Sequence, residues 1–326
     1  VGLARTHERR VELFFRGPEL NVKSRVIRQC VEHHTWHRTG GDPVEANRIM
    51  LPGVGHFDQV AAFISTELLR NGADADPATA FRRSEPIIEL AIQRLRLSDE
   101  ALLGLAGELV ILEGLLDAAP PSSVGEVLSS WCGWRESRRD FELGEVGVEV
   151  KTTTRAVSAH RVQGVHQVEP LEGVEDLLVL ASIGAQWVPS GNASAFAIPA
   201  LVDAIGAHVR DAVTDPEATT LIHTFLARLR EYGDDGQLGY DHATMATHPV
   251  YARPFITRFC RGYDMTDPAI DVLRSDDVLR RQHVESGSVS FAVNLPDRVT
   301  GDVNPVVGAQ AIAEHILGAA GLISAP

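Results

Sequence analysis

A candidate β-hairpin at residues 140–154 sets the strictest condition on the fold, because the tetrapeptide GEVG separates DFEL from VEVKTTT there. Side chains alternate between the two faces of a strand. If GEVG forms the loop, Asp140 lies opposite Lys151 and Glu142 lies opposite Glu149. One face then carries three carboxylates and one ammonium group, and the other face is apolar. The pattern predicts a hairpin that buries one face and concentrates charge on the other.

The crowded carboxylates indicate a cation site. Like charges that face each other across strands destabilise a sheet, and a divalent cation would offset their repulsion. Carboxylate oxygens are the ligands that Mg²⁺ prefers, so Asp140, Glu149 and the backbone carbonyl of Val150 are the candidate metal ligands. Lys151 could hold, or help to deprotonate, a water at such a site. The alternative is a solvated polar strand face, since the E-x-K spacing is short.

Lysine usage supports a special role for Lys151. Only two of the 30 basic residues are lysines, Lys23 and Lys151, and the others are arginines. A compact ammonium group in such a background suggests that a planar guanidinium would not serve at that position. Chance is enough to explain Lys23, whereas Lys151 lies two residues from Glu149 and therefore shares its strand face.

The alternation of helical and strand patterns predicts an α/β (α+β) fold with a helix–strand–strand–strand–helix core. Three segments are expected: a β-rich N-terminal segment at 1–75, a core at 76–213 and a mixed C-terminal segment at 214–326. The patterns predict helices at 57–71, 86–97, 99–117 (capped by Ser98), 199–213 and 221–232. They predict strands at 140–143, 148–154, 176–184 and 288–295.

Charge and cysteine content exclude several classes of protein. The net charge of −14 excludes a chain-wide basic surface for nucleic acid, although it says nothing about a single cleft. Cys30, Cys132 and Cys260 are scattered and odd in number, which excludes a disulfide scaffold and an all-cysteine zinc site. No apolar stretch is long enough to span a bilayer, and no signal-peptide core follows the first residues. We expect a cytoplasmic protein with no membrane partner.

The hairpin motif resembles that of the PD-(D/E)XK nuclease superfamily. The spacing D-(x8)-E-x-K from Asp140 to Lys151 follows a helix that carries a glutamate. The longer context is similar to one branch, the bacterial "PD-(D/E)XK motif protein" family associated with restriction and phage defence. The matching segments are GLAGELVILEGLL (104–116), WCGW (131–134), RDFEL (139–143), VEVKTTT (148–154) and HQVEP (166–170). One departure is Arg139, which stands where the superfamily motif has proline.

The resemblance implies a restriction-endonuclease-like core, a mixed sheet flanked by helices, that hydrolyses DNA phosphodiester bonds with Mg²⁺ or, in its place, Mn²⁺. It implies that Asp140 and Glu149 bind the metal together with the carbonyl of Val150, and that Lys151 assists the attacking water. The implied setting is a bacterial restriction or phage-defence system. The expected partners are DNA, other defence proteins such as a methyltransferase or an ATPase/helicase, and a second copy in a homodimer.

Two further residues match the family, and each leaves two interpretations open. Glu108 matches the acidic residue of the GEL helix, and it is either an additional metal or water contact or an ordinary surface glutamate. Gln167 matches a QL motif whose leucine is replaced by Val168 here. Its side chain either touches the scissile phosphate or terminates a turn.

An acidic cleft needs neighbouring cations to attract DNA, because phosphate contacts supply a large share of the affinity. Arg135, Arg138 and Arg139 directly precede Asp140 and are the candidate DNA-binding residues. The alternative is that these arginines only solvate the end of a helix.

Two other functions compete with an active endonuclease. A non-catalytic DNA-binding or assembly subunit could retain the nuclease fold, but it would be expected to have lost one of Asp140, Glu149 and Lys151. A zinc hydrolase could use His33 and His37, an H-x-x-x-H pair that on a helix has the spacing of zinc ligands. The internal glutamate of such motifs is absent, and the TGGDP that follows indicates a loop or turn.

Overall fold

The computed structural model of the chain describes residues 1–5, 11–28, 30–37, 41–50, 57–94, 97–233, 239–301 and 303–324. The chain divides into two compact units, one built mainly from residues 1–97 and the other from residues 98–233 and 239–326. The predicted division at residues 75 and 213 stays a prediction. In the described ranges, no helix combines the length and the apolar character needed to cross a membrane.

The first unit pairs a four-stranded antiparallel sheet with helices. Its elements are β1 (Gly2–Arg5), β2 (Val11–Arg16), α1 (Arg25–Arg28), β3 (Val31–Trp36), β4 (Val44–Met50), α2 (Phe57–Arg70) and α3 (Pro77–Arg94). The strands are ordered β1–β2–β4–β3. Leu13, Phe15 and Ile49 on the sheet are buried in one core with apolar residues of α2 and α3. The predicted β-rich segment and the helix predicted at 57–71 are confirmed.

The start predicted for the helix at 86–97 is wrong. Helix α3 begins at Pro77 and contains Pro86. The side chain of Asp76 accepts a hydrogen bond from the backbone N–H of Thr79 at 3.1 Å, as a helix N-cap does. Pro77 then occupies the first helical position, which proline favours. The N-terminal signals of this helix therefore lie at residues 76 and 77 rather than at Pro86.

The second unit is larger and contains the hairpin. Its elements are α4 (Asp99–Ala118), α5 (Val124–Ser130), β5 (Phe141–Leu143), β6 (Val146–Thr153), β7 (Ser158–Val162), β8 (Leu177–Trp187), α6 (Ile198–Ala212), α7 (Asp215–Glu231), α8 (His242–Met245), β9 (Phe255–Asp264), α9 (Ser275–Leu279), β10 (Phe291–Leu295), β11 (Val306–Val307) and α10 (Ala309–Ala319). Helices α4 and α6 and strand β8 confirm the predicted elements in these regions. Helix α7 begins earlier than the predicted 221, because Pro216 lies in its first turn.

A five-stranded mixed sheet forms the centre of the second unit, in the order β11–β9–β8–β6–β5. Strands β6 and β8 are parallel, and the other neighbouring pairs are antiparallel. This sheet and its helices confirm the predicted α/β class. Strand β9 comes from the segment predicted to flank the core, yet it pairs with β8 over most of its length. Strands β7 and β10 pair with each other in a separate two-stranded sheet.

The hairpin forms, but its predicted register is wrong by two residues. Phe141 pairs with Val148 and Leu143 with Val146, so the turn consists of Gly144 and Glu145 instead of the whole GEVG segment. Gly144 has φ +57°, the left-handed conformation that tight hairpin turns favour. Because side chains alternate with a period of two, a two-residue shift leaves each one on its predicted face.

Helix α4 packs directly on β6. Its N-terminus is capped as predicted, since the backbone N–H of Ala101 donates to Ser98 Oγ at 3.1 Å. The helix contacts β6 on one side and α6 and α10 on others, so it is buried around most of its circumference. Gly107 allows the close approach, because a Cβ there would stand 2.0 Å from Thr152 Oγ1 and 3.3 Å from Val150 Cγ1.

We expect Gly107→Ala to destabilise the protein by about 1–3 kcal/mol, because the added methyl group overpacks this contact. Urea unfolding measures the change in free energy. Gly114→Ala is the matched control on the same helix, since its nearest neighbour would be 3.6 Å away. There the helix propensity of alanine should stabilise the protein by up to about 1 kcal/mol. Equal behaviour of the two variants would contradict the tight packing of α4 on β6.

Candidate active site

The hairpin brings Asp140 to the edge of β6. Asp140 Oδ2 accepts a hydrogen bond from the backbone N–H of Val150 at 2.7 Å, and the N–H of Asp140 donates to the carbonyl of Val148 at 3.1 Å. In a strand, the N–H and C=O of one residue point to the same side. The carbonyl of Val150 therefore points to the edge at which Asp140 lies.

Glu149 and Lys151 form an ion pair on one face of β6. Lys151 Nζ lies 2.8 Å from Glu149 Oε1, and the two side chains are 19% and 5% exposed, respectively. Their common face is the one that the alternation predicts. A pair this deeply buried is costly to desolvate, so it is weak evidence for a purely stabilising role.

Glu108 is buried near Asp140 and Glu149. These three carboxylates and Lys151 form the acidic cluster. Trp131 Nε1 donates to its Oε2 at 2.7 Å, and the hydroxyl of Tyr232 donates to its Oε1 at 2.6 Å. Burial raises the pKa of Glu108 to about 7, and the charge of Glu149 adds to the rise, while the two hydrogen bonds oppose it. Its interpretation as an ordinary surface glutamate is wrong, because only 5% of the residue is exposed.

Gly133 shows how close Glu108 and Asp140 are. A Cβ at Gly133 would stand 2.0 Å from Glu108 Oε2 and 3.2 Å from Asp140 Oδ1. Both carboxylate oxygens therefore border the same small space. Glycine keeps that space open for the two carboxylates.

The cluster is short of positive charge. The pKa of Asp140 lies well above its ordinary value, because the group is buried and because Glu108 and Glu149 repel its charged form. Lys151 opposes both the Glu108 and the Asp140 shift, but one ammonium cannot balance three carboxylates. A bound cation would supply the missing charge.

The donor atoms suit a hard divalent cation, although they are not yet arranged around one. Asp140 Oδ1 accepts no hydrogen bond from a described residue, and the carbonyl of Val150 faces the same edge. Glu149 would complete the set by turning away from Lys151. Oxygen donors of this kind fit Mg²⁺. Within the described ranges, no group of three or more His, Cys, Asp and Glu side chains is already spaced to hold a metal ion.

His160 and Ser182 lie behind Lys151. Ser182 pairs with Lys151 between β8 and β6, and its Oγ lies 2.7 Å from His160 Nε2. Burial, and after it the charge of Lys151, lowers the pKa of His160 to about 4. His160 is therefore neutral at physiological pH and adds no charge beside the lysine.

The three candidate DNA-binding arginines divide into two groups. Arg135 and Arg138 are exposed. Arg139 is only 3% exposed, and its guanidinium binds both carboxylate oxygens of Glu175 at 2.7 Å. It also donates to two backbone carbonyls in the segment after β7. All three guanidinium nitrogens of Arg139 thus form hydrogen bonds within the protein. The predicted phosphate contact therefore stays a prediction for Arg135 and Arg138 only.

Two other polar residues of the motif lie outside the acidic cluster. Gln167 ends a short 3-10 turn, Val165–Gln167, and its Oε1 accepts a hydrogen bond from the backbone N–H of Gln163 at 2.9 Å. This contact matches the turn-terminating alternative, and its phosphate contact stays a prediction. Glu142 is exposed and accepts a hydrogen bond from Ser137 Oγ at 3.3 Å.

The zinc alternative lacks the geometry that it requires. Residues 31–36 form strand β3 and not a helix, so His33 and His37 are separated by about 13 Å along an extended chain. His33 Nε2 instead contacts the backbone carbonyl of Gly17 at 3.3 Å. This removes the spacing argument for a two-histidine zinc site.

Sequence reasoning missed the residues that hold Glu108. Trp131 is fully buried, and its indole N–H donates a hydrogen bond to the carboxylate. Tyr232 lies 124 residues from Glu108 at the end of α7, and no local pattern could have indicated that contact. Strand β9 did carry a signal, since FITRFCRGYD is rich in aromatic and β-branched residues.

Fold and site together define a class: an α/β protein in which a hairpin of a mixed sheet carries a buried carboxylate–lysine cluster. Residues 89–241 match the sequence model of the family described as "Putative PD-(D/E)XK family member, (DUF4420)". The matched segment contains Glu108, the whole hairpin and Tyr232. It confirms the resemblance that the hairpin motif predicts. Searches of the curated proteins and of the solved structures find no match to the chain.

Proposed function

We propose that this protein is a DNA endonuclease that hydrolyses phosphodiester bonds with Mg²⁺, with Mn²⁺ able to substitute. The observation that carries the proposal is the buried cluster of Glu108, Asp140 and Glu149 beside Lys151, on a segment that matches a PD-(D/E)XK family. Buried carboxylates without enough countercharge reduce stability, so their presence indicates a use.

Each residue of the cluster has a role in this proposal. Asp140, Glu149 and the carbonyl of Val150 would hold the cation. When bound, the cation would stabilise the charge that develops on the phosphate and lower the pKa of a nearby water. Lys151, released from Glu149, would position that water and receive or return a proton. Glu108, whose pKa is about 7, can exchange a proton near neutral pH while Trp131 and Tyr232 keep it in place.

The biological setting rests on the resemblance alone. We infer a nuclease component of a bacterial restriction or phage-defence system, acting in the cytoplasm on DNA. A methyltransferase, an ATPase/helicase or a second copy of the chain would be its protein partners. A non-catalytic assembly subunit is the competing function, and the complete set of Asp140, Glu149 and Lys151 favours the enzyme.

The test is nicking of supercoiled plasmid by the purified chain over Mg²⁺ and Mn²⁺ titrations, with EDTA as the control. We expect cleavage only with the divalent ions. If the chain binds DNA but never cuts it, even when the products of neighbouring genes are added, the assembly-subunit function is the correct one.

Replacing both Arg135 and Arg138 by glutamine should weaken DNA binding. Each lost phosphate contact lowers the slope of log affinity against log salt by about 0.9, so we expect a decrease of nearly two. Fluorescence anisotropy over a salt series measures this slope. The matched control is the double glutamine variant of Arg280 and Arg281, two exposed neighbours on the same unit. An unchanged slope in the first variant would mean that Arg135 and Arg138 only solvate the surface.

A further inference from the structure

An open cleft of about 910 Å³ lies next to the acidic cluster, wholly within the second unit. It is bounded by the end of β6 and the loop that follows it, by β7, by the first residues of β10 and by the first turn of α4. Lys151 lines this cleft as well as pairing with Glu149. Lys151 is thus shared by the cleft and the candidate active site.

Uncompensated positive charge lies on one wall of the cleft. Arg155 and Arg161 line that wall, and both are exposed. Arg161 donates to Ser290 Oγ at 3.1 Å, and neither arginine forms an ion pair with a described residue. Asp99 and Glu100, at the start of α4, also line the cleft. The positive charge on β7 and on the loop before it suits an anion that follows this wall.

Aromatic rings complete the lining. Trp187, at the end of β8, is partly exposed, and the guanidinium of Arg253 lies 4.4 Å from the centre of its ring. It also packs against Phe255 in a T-shaped arrangement, with 5.7 Å between the ring centres. Phe291 on β10 is also partly exposed in the cleft. A groove that combines arginines with accessible aromatic rings is typical of sites for unpaired nucleic acid.

The size of the cleft also distinguishes one strand from two. Its volume lies near the upper end of the roughly 300–1,000 Å³ found for small-ligand sites. A few nucleotides of one strand fit such a space, whereas a duplex does not. Bases inside a duplex stack on one another, so they cannot offer their faces to a tryptophan without leaving the helix.

We propose that this cleft binds an unpaired DNA strand and leads its backbone to the cluster of Asp140, Glu149 and Lys151. Arg155 and Arg161 contact phosphates, and Trp187 stacks on a base. The delivery step rests on the proposed nuclease function, but strand binding does not. The substrate class is accordingly single-stranded DNA, or duplex DNA with an unpaired segment.

The test measures equilibrium binding of a labelled oligothymidine and of a blunt duplex of equal length to the full chain, in EDTA so that no cleavage is required. We expect the wild type to prefer the single strand. Glutamine at both Arg155 and Arg161 should weaken single-strand binding at least tenfold and lower the salt slope by about 1.4, since each phosphate contact on a single strand contributes about 0.7. The double glutamine variant of Arg280 and Arg281 should bind like the wild type.

Trp187→Phe and Trp187→Leu separate stacking from packing. Both keep an apolar side chain against Phe255, but only phenylalanine retains a ring. We expect Trp187→Phe to keep most of the single-strand affinity and Trp187→Leu to lose at least fivefold of it. Circular dichroism and thermal unfolding verify that both variants are folded.

The outcomes separate this inference from the proposed function. The cleft inference is overturned if the wild type binds the duplex more tightly, binds neither DNA, or binds the single strand equally well after both arginines are replaced. Cleavage of plasmid together with any of these results would leave the nuclease standing and remove the cleft. Strand binding that depends on the cleft, without cleavage under any divalent ion, would support the cleft inference and remove the proposed nuclease function.

Discussion

Lys151→Ala is expected to reduce Mg²⁺-dependent DNA cleavage at least about 100-fold, the loss typical when a proton-transferring group is removed. Lys151 is the amine of the acidic cluster, and its Nζ lies 2.8 Å from Glu149 Oε1. Plasmid nicking over a metal titration measures the rate. Anisotropy on the same DNA should show binding close to that of the wild type, because the phosphate contacts lie elsewhere.

Lys151→Arg separates charge from proton transfer. Arginine keeps the positive charge beside Glu149, but its guanidinium is bulkier and effectively never deprotonates. We expect the arginine variant to be as inactive as the alanine variant. Full activity in Lys151→Arg would show that a positive charge suffices and that lysine does not handle the proton. Full activity in Lys151→Ala would remove the nuclease function from this cluster.

Stability must be measured beside activity, because Lys151→Ala leaves Glu149 buried without its partner. Removing one member of a buried ion pair costs about 3–5 kcal/mol when the other stays charged. Lys151→Met is the useful companion, since it fills the same space without charge. If all three variants are folded at the assay temperature and the alanine, methionine and arginine forms are all inactive, unfolding cannot explain the loss.

The parts of the site that the sequence predicted correctly are those governed by local periodicity. Glu149 and Lys151 are two residues apart on one strand, so they must share a face whatever the register. The hairpin illustrates this directly, because its predicted register is wrong by two residues and the predicted strand face of each side chain is still right. Helix α4 was predictable for the same reason, since Ser98 and the spacing of its leucines depend only on neighbouring residues.

The parts that could not be predicted depend on contacts between distant segments. Whether Arg139 meets DNA or Glu175 is decided by a loop 36 residues further along the chain. The burial of Glu108 is decided by Trp131 and Tyr232, which come from different helices' ends. Strand β9 joins the sheet beside β8 although about 70 residues separate them. The sequence pattern of neither strand indicates that it pairs with the other across so long a connection.

The metal-free protein should become less stable as the pH rises from about 5 to 7, and Glu108 should contribute to this loss. The folded protein keeps the proton on Glu108 up to a pKa of about 7, whereas the unfolded chain releases it near the ordinary pKa of 4.5. Between these values the folded state binds more protons, so raising the pH favours unfolding. At about 1.4 kcal/mol for each pH unit, the loss approaches roughly 3 kcal/mol. The raised pKa of Asp140 acts in the same direction.

Glu108→Gln tests this assignment, because glutamine is uncharged at every pH and can still accept a hydrogen bond from Trp131 and donate one to Tyr232. Urea unfolding in EDTA from pH 5 to 8 should give a much flatter profile for this variant than for the wild type. Glu126→Gln, which replaces an exposed carboxylate on α5, should keep the wild-type slope. Mg²⁺ should restore stability to the wild type at pH 7 and above, since a cation that binds only the folded cluster favours folding and stabilises the charged carboxylates. If the stability of Glu108→Gln depends on pH as steeply as that of the wild type, another group holds the proton. If Mg²⁺ does not change the stability of the wild type, that result counts against a cation site in this cluster.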